Sequence, residues 1–252
     1  MKLEDKIAIV TGGGGGIGTC IAREFARAGA HVVVASRNRE RLEEIAAEIK
    51  ALNRESLAIT TDITVPEQVE TMVKQTLDTF GRIDILVNNA GGALHFKKPE
   101  ELSFDEWNAG IALNLTGTFI CSSIAGKVMI QQKGGKIINI ASVAGIKPSA
   151  MFVHYGAAKA AVMNLTQSLA SAWGQYNIHV NCIVPGLTAT EGIRRFGMLP
   201  PDKNEDGTQI PPLLFPHDPE HVANLAVFLA SAASDHITGE CIPIRALVSF
   251  DR

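Results

Sequence analysis

Apolar residues along this chain fall into short unbroken runs separated by stretches with a helical rhythm. The runs are "KIAIVTG" (6–12), "HVVVAS" (31–36), "SLAIT" (56–60), "IDILVN" (83–88), "GKIINIAS" (135–142) and "IHVNCIVP" (178–185), with a weaker "ECIPI" (240–244) near the end. A strand with one wet face alternates apolar and polar residues, whereas a continuous run marks a strand covered on both faces. Between the runs lie "GTCIAREFARAG" (18–29) with its glycine stop, "ERLEEIAAEIKAL" (40–52) and "PEQVETMVKQTLDTFG" (66–81). Strand alternating with helix from end to end predicts an α/β fold, one doubly wound domain over residues 1–252 with a parallel sheet of about seven strands. The one long irregular stretch, 186–219, is rich in Pro and Gly. A connection of that length inside a compact domain reads as a lid or binding segment.

Composition narrows the function classes. Hydrophobic residues make up 46% and charged residues 19%, enough for a sizeable core and too little charge for disorder. The net charge of −3 gives no electrostatic case for nucleic acid or an anionic membrane. No uninterrupted run of about 18 apolar residues occurs, which argues against a membrane span, and the acidic residues in "MKLEDKIAIVTGG" argue against a signal peptide. Cys20, Cys121, Cys182 and Cys241 stand far apart among apolar neighbours with no metal-ligand spacing. We therefore expect no metal, buried reduced thiols and a cytoplasmic protein.

The first chemical signal is "TGGGGGIG" (11–18), between the first strand and the first helix. Glycines there let the backbone approach a pyrophosphate, and the helix N-terminus offers free N–H groups and partial positive charge. No Lys-Ser/Thr pair follows, so a mononucleotide P-loop is excluded. The expected dinucleotide cradle is Gly12, Gly14, Gly15, Gly16, Ile17 and Gly18 in a Rossmann-type fold. At the end of the second strand, a carboxylate would hydrogen-bond the adenosine ribose 2′-OH and select NAD. This chain instead has Ser36 and Arg37. Ser36 leaves room, and Arg37 can meet a 2′-phosphate with a charge-assisted fork, so NADP is expected over NAD. The other reading makes Arg37 part of a solvated helix edge with Arg39 and Arg41.

The second signal is "YGAAK", which puts Tyr155 and Lys159 one turn apart on one helix face. A phenol with its ordinary pKa near 10 is a poor base at neutral pH. A nearby ammonium, aided by an oxidised nicotinamide, favours the phenolate and brings it toward the working range. Tyr155 would then take the alcohol proton in oxidation or give it to the carbonyl oxygen in reduction. His154 stands beside Tyr155, but adjacent helix positions do not face each other, so it is left out of the chemistry.

Together, TGxxxGxG at 11–18, "NNAG" at 88–91, Ser142 after the fifth strand, YxxxK at 155–159 and "PG" at 185–186 resemble the short-chain dehydrogenase/reductase family, over Lys6 to about Gly239. The resemblance implies a catalytic tetrad of Asn114, Ser142, Tyr155 and Lys159. Ser142 would hold the substrate oxygen, Lys159 would also bond the nicotinamide ribose, and Asn114 would anchor a water-linked proton relay. It also implies that Asp62 and Ile63 contact the adenine, Asn89 supports the cofactor ribose and the central strand, and Thr188 meets the nicotinamide carboxamide. A homotetramer is implied, with helices at about 104–132 and 155–174 against their symmetry mates; a dimer is the alternative. The stretch "IPIRAL" (242–247) departs from the family's usual last turn, which bears on assembly but is not expected to touch the chemistry.

By the same resemblance the pocket is bordered by "VAGIKPSAMF", "GALHF", "IRRFGML" and "IPPLLF", mostly apolar stretches. The expected reaction is hydride transfer between NADP and a secondary alcohol or ketone on an apolar skeleton. Arg194 and Arg195 would bind a carboxylate or phosphate, or be solvated. A β-ketoacyl reductase, with Lys127, Lys133 and Lys136 facing a carrier protein, is one alternative. A non-catalytic dinucleotide sensor or scaffold is another.

Overall fold

The structure is a computed structural model that describes residues 2–195, 197–204 and 206–247. Seven strands form one parallel sheet: β1 (Ile7–Thr11), β2 (His31–Ser36), β3 (Ser56–Thr60), β4 (Ile85–Asn88), β5 (Gly135–Ile140), β6 (Ile178–Pro185) and β7 (Cys241–Ile244). Their order across the sheet is β3-β2-β1-β4-β5-β6-β7. The chain thus leaves β1 in one direction for β2 and β3, then returns across β1 to β4. Such a reversal opens a crevice at the carboxyl ends of the two strands flanking it.

The helices are α1 (Gly16–Arg27), α2 (Arg39–Ala51), α3 (Pro66–Phe80), α4 (Phe104–Ile111), α5 (Gly117–Gln132), α6 (Val153–Trp173), α7 (Glu191–Arg195) and α8 (Pro219–Ala230). Each starts and stops for a local reason. Helix α1 buries Ile21, Ala22, Phe25 and Ala26 along one stripe. It hands over to β2 through Gly29, whose φ of +106° favours glycine. Helix α3 opens with Pro66 in its first turn and closes on left-handed Gly81. The two sheet faces carry separate cores. One joins α1, α2 and α8 through residues such as Phe25, Leu42 and Val222. The other joins α3, α5 and α6 through residues such as Met72, Met129 and Leu169.

Three expectations need amending. The segment expected as one helix over 104–132 is broken by a π-helical turn at Ala112–Thr116. The Asn114 side chain causes it locally, donating 3.0 Å to the Gly110 carbonyl and so competing with the regular ladder. By length and composition, Phe104–Gln132 is apolar enough to cross a membrane, because it carries apolar residues on more than one side. In the fold it packs between α3, α6 and strands β4 and β5. Finally, Cys121 and Cys182 are buried, but Cys20 and Cys241 are only partly so, since α1 has an outer flank and β7 is an edge strand.

Candidate active site

Everything expected to do chemistry gathers at the carboxyl ends of the strands. The glycine loop follows β1, and Asn89 follows β4. Asn89 Nδ2 donates to the carbonyls of Thr11 (3.1 Å) and Gly12 (3.2 Å), while Thr11 Oγ1 accepts the amides of Asn89 and Ala90. This knot leaves no room for side chains. A Cβ on Gly18 would lie 2.3 Å from the Gly12 oxygen and 2.4 Å from Asn89 Nδ2, and one on Gly12 would lie 2.7 Å from Asn89 Nδ2. Gly12 and Gly16 also have φ of +65° and +51°. By contrast, a Cβ on Gly15 would meet nothing within 4 Å. Gly15 is the α1 N-cap and gives no side-chain cap, so the first-turn amides are left for an anion. The cradle fits the pyrophosphate of a dinucleotide, with Gly14 and Ile17 on its partly exposed lining.

The adenosine end is set by β2. Ser36 Oγ stands 3.0 Å from where a Gly14 Cβ would be, so strand end and glycine loop adjoin. Arg37 is exposed. Its neighbours in sequence are paired, Arg39 with Glu43 and Arg41 with Glu44, each at 2.7 Å. Among the described residues Arg37 has no ion-pair partner, and its charge is felt at Asp62. The Asp62 carboxylate accepts the Thr64 amide (2.9 Å) and hydroxyl (2.7 Å). The Thr64 bonds, with Arg37 behind them, hold it below the ordinary carboxylate range. Ile63 is turned inward: its side chain sits where a Cβ on Gly117 would be only 2.6 Å from Cδ1. Its side chain therefore belongs to the core.

At the other end of the crevice, Ser142 follows β5 and Tyr155 and Lys159 lie in α6. The Tyr155 phenol lies beside the Ser142 hydroxyl, whose Oγ accepts the Ala144 amide at 3.2 Å. Lys159 is buried and donates to the Ile140 carbonyl at 2.8 Å. Its Nζ lies 5.6 Å from the centre of the Tyr155 ring. Asn114 Oδ1 accepts the Gly92 amide (2.9 Å), and its Nδ2 donates to the carbonyls of Gly92 and Gly110 (both 3.0 Å). Gly91 joins the set: a Cβ there would lie 2.7 Å from Asn114 Oδ1 and 3.1 Å from Lys159 Nζ. All four tetrad positions therefore converge, and Asn114 bonds both local backbone and the loop beside Lys159.

Burial governs the electrostatics of the pair. Burial pushes the Tyr155 phenol up, partly opposed by the neighbouring Ser142 hydroxyl. Burial lowers Lys159 itself to about 8, because its one strong contact is a neutral carbonyl. His154 is fully buried with neither ring nitrogen hydrogen-bonded among the described residues. Its ring packs on Gly110, where a Cβ would approach to 2.2 Å.

Thr188 lies after β6, and its hydroxyl is 2.9 Å from His217 Nε2. The two residues also form a parallel bridge that ties both ends of the 186–219 stretch together. Arg194 is already committed, to Asp218 (2.6 Å) and the Ala189 carbonyl (3.1 Å), so it is not a free anion site. Phe152 stands 6.2 Å from the Tyr155 ring and 5.8 Å from Phe96. With exposed Leu94, Ile146, Met198 and Leu213 they give this end an apolar rim. The tail is closer to the site than expected: Gly186 N donates to Ile244 O (2.7 Å), and Leu247 N to Leu213 O (2.8 Å). Sequence reading missed Gly91, the Ile140 carbonyl and His217, whereas Phe152 ends the "VAGIKPSAMF" stretch expected to border the pocket. Only Gly91 carried a signal, as the last residue of "NNAG".

Known proteins place this arrangement. A family profile described as "short chain dehydrogenase" matches residues 6–197. A protein of Listeria innocua named NAD-dependent glycerol dehydrogenase is 40% identical over 241 residues, covering 95% of this chain and 92% of its own. A Bacillus subtilis protein named probable 2,4-dienoyl-CoA reductase is 38% identical, covering 95% of each. The crystal structure of a short-chain type dehydrogenase/reductase from Mycobacterium marinum superimposes with a TM-score of 0.88 at 34% identity, over 97% of this chain and 96% of that one. With likeness running almost end to end in both sequence and fold, this chain is a member of the short-chain dehydrogenase family, a nicotinamide-dependent oxidoreductase.

Proposed function

We propose that the chain moves a hydride between NADP and the carbon of a secondary alcohol or ketone carried on a mostly apolar skeleton. The observation that carries this reading is the convergence of Ser142, Tyr155, Lys159 and Asn114 around Gly91 at the mouth of the crevice. Bound nicotinamide supplies the hydride acceptor or donor. Ser142 orients the substrate oxygen on Tyr155, and Tyr155 moves the proton at that oxygen. Lys159, held by Ile140, positions the ribose, and Asn114 keeps the Gly92 loop in place behind it. Thr188, braced by His217, faces the carboxamide.

Two features support details within this reading. The preference for NADP rests on Ser36 in place of a carboxylate and on Arg37, the cation at this strand end with no ion-pair partner among the described residues. The Listeria relative is named NAD-dependent, so NAD is the competing cofactor. The apolar rim favours a larger, less polar substrate than glycerol. A carrier-bound β-ketoacyl substrate is less well supported. Lys136 is the second residue of β5, at the opposite end of the sheet from the site, and is paired with Asp235 at 2.8 Å. We extend the reading to a homo-oligomer, in which exposed Phe104 and Phe119 on α4 and α5 face a second copy.

The deciding experiment is a panel of alcohols and ketones, with acyl-CoA thioesters and glycerol included, against NADP(H) and NAD(H), read by nicotinamide absorbance. Turnover of apolar ketones with NADPH is expected. Cofactor binding with no hydride transfer to any member would favour the non-catalytic alternative.

A further inference from the structure

Sequence spacing sets the four cysteines apart, yet the fold brings two of them face to face. Cys182 on β6 and Cys241 on β7 are direct register partners in a parallel pair, so their side chains leave the same face of the sheet. Both sit in the small apolar cluster of Ala141, Val162, Val184 and Met163 under helix α6. Adjacent strands run about 4.8 Å apart, inside the Cα separations of about 4.4–6.8 Å that a disulfide spans. Each thiol also reaches a backbone carbonyl, Cys182 Sγ that of Ile183 (3.5 Å) and Cys241 Sγ that of Met163 (3.9 Å). The two thiols bias each other's ionisation: Cys182 is pushed up, first by its neighbour and then by burial, while Cys241 is held below the ordinary thiol value. Cys20 and Cys121 have no such partner, and burial raises each to about 12. Hydride transfer uses none of these groups.

We propose that Cys182 and Cys241 are a peroxide-responsive dithiol that closes to an intrachain disulfide behind Lys159. Cys241 is the entry point, partly exposed on the edge strand. Its thiolate attacks one oxygen of hydrogen peroxide, breaking the O–O bond to give a Cys241 sulfenic acid and hydroxide, which takes up the thiol proton as water. The Cys182 sulfur then attacks the Cys241 sulfur. An S–S bond forms, the sulfenic S–O bond breaks, and the leaving hydroxyl departs with the Cys182 proton as a second water. Two thiols and one peroxide thus give one disulfide and two waters. Strand β7 already lies in register beside β6, among the described residues it has no strand beyond it, and Pro243 gives no ladder donor.

The location ties this chemistry to the site. Ala141, which packs with Cys182 in this cluster and whose amide donates to the Ile183 carbonyl at 2.9 Å, follows Ile140, whose carbonyl holds Lys159. Drawing Cys182 toward β7 shifts the support beneath that lysine. This second step rests on the cofactor reading above; the disulfide itself does not.

The test exposes the whole chain to hydrogen peroxide, alkylates the remaining thiols, and maps the peptides by mass spectrometry. We expect two of the four thiols to be lost. One Cys182–Cys241 linked pair should appear, lighter by two hydrogens, fully reversed by dithiothreitol and missing from both Cys241→Ser and Cys182→Ala. A fluorescence titration should show NADPH binding weakened in oxidised wild type, restored on reduction, and indifferent to peroxide in Cys241→Ser. An over-oxidised Cys241 beside a free Cys182, a Cys241–Cys241 link between two chains, or four intact thiols overturns the proposal. A mapped disulfide with unchanged NADPH affinity overturns the tie to Lys159. Failure of reduced wild type to bind NADPH or NADH overturns the cofactor reading and, with it, that tie.

Discussion

The carboxyl rim of the sheet has two unlike walls. On the β1–β2–β4 side the wall is backbone: Gly12, Gly18, Thr11 and Asn89 are fitted so closely that a single Cβ would collide with carbonyl oxygen or amide nitrogen. On the β5–β6–β7 side it is side chains and a long connection. Tyr155, Phe152 and Thr188 are placed by α6 and by a handful of polar contacts across 186–219. The first wall suits a ligand part common to every dinucleotide. The second can change its substrate by changing a few residues, because side chains on a surface connection line it. Substitutions should therefore act differently on the two sides.

The largest expected effect is on the side-chain wall. Tyr155→Phe keeps the ring and its contact with Phe152 but removes the group that moves the proton. Turnover should fall about 10²–10⁴-fold while NADPH affinity, set on the other wall, stays near wild type. Steady-state kinetics and fluorescence titration read the two quantities separately. Near-normal kcat in this variant would remove Tyr155 from its role.

Next comes cofactor choice, where the backbone wall ends and the two side chains of residues 36 and 37 begin. A partly exposed charge-assisted contact is worth roughly 1.5–3 kcal/mol, or about ten- to a hundred-fold in affinity. Arg37→Ala should weaken NADP by about that range and leave NAD nearly unchanged. Ser36→Asp should reverse the preference by repelling the 2′-phosphate and accepting the free 2′-OH. Equal weakening of both cofactors by Arg37→Ala would reduce Arg37 to a solvated charge.

The backbone wall itself can be broken with a methyl group. Gly18→Ala forces atoms into a space bounded by the Gly12 carbonyl, and overpacking of this kind costs about 1–3 kcal/mol. Gly15→Ala, three residues away in the same loop, meets nothing and should melt like wild type. A matched pair of thermal denaturation curves decides the matter: similar melting temperatures would mean that the loop yields and is not a fitted knot.

The two walls also differ in how far the sequence revealed them. Close backbone approach admits only glycine, so "TGGGGGIG" was readable as a cradle before any fold was known. Tyr155 and Lys159 were readable for a different reason, since helical spacing alone puts them on one face. What stayed hidden depends on contacts distant in sequence. Lys159 holds the Ile140 carbonyl and not the phenol, a bond across α6 and β5 that composition does not encode. Ile63 turns into the core because Gly117 leaves room for it on another helix. Asn114 breaks its helix into a π turn, although "ALNLTGTF" reads as continuous. The His217 partner of Thr188 and the pairing of Cys182 with Cys241 likewise exist only once the sheet is assembled.

The smallest expected effect concerns the contact that ties the side-chain wall together. His217 is held below its ordinary value of 6.5 by burial first and then by His221, with Asp218 opposing. A histidine whose folded pKa is depressed is neutral in the closed loop, while the open or unfolded chain takes up a proton first. The closed arrangement is therefore most favoured above 6.5 and loses ground as pH falls below that value. The Thr188–His217 contact itself contributes about 1 kcal/mol, so its loss should loosen 186–219 without unfolding the sheet. In wild type, proteolytic nicking within this segment should accelerate as the pH is lowered from 7.5 to 5.5, in steps of about 0.5 pH unit spanning the ordinary histidine range. His217→Asn removes the titrating group, so its nicking rate should show a flatter pH dependence, with cleavage outside the segment as the internal control. The same acceleration in both proteins would mean that the loop is opened by something other than His217.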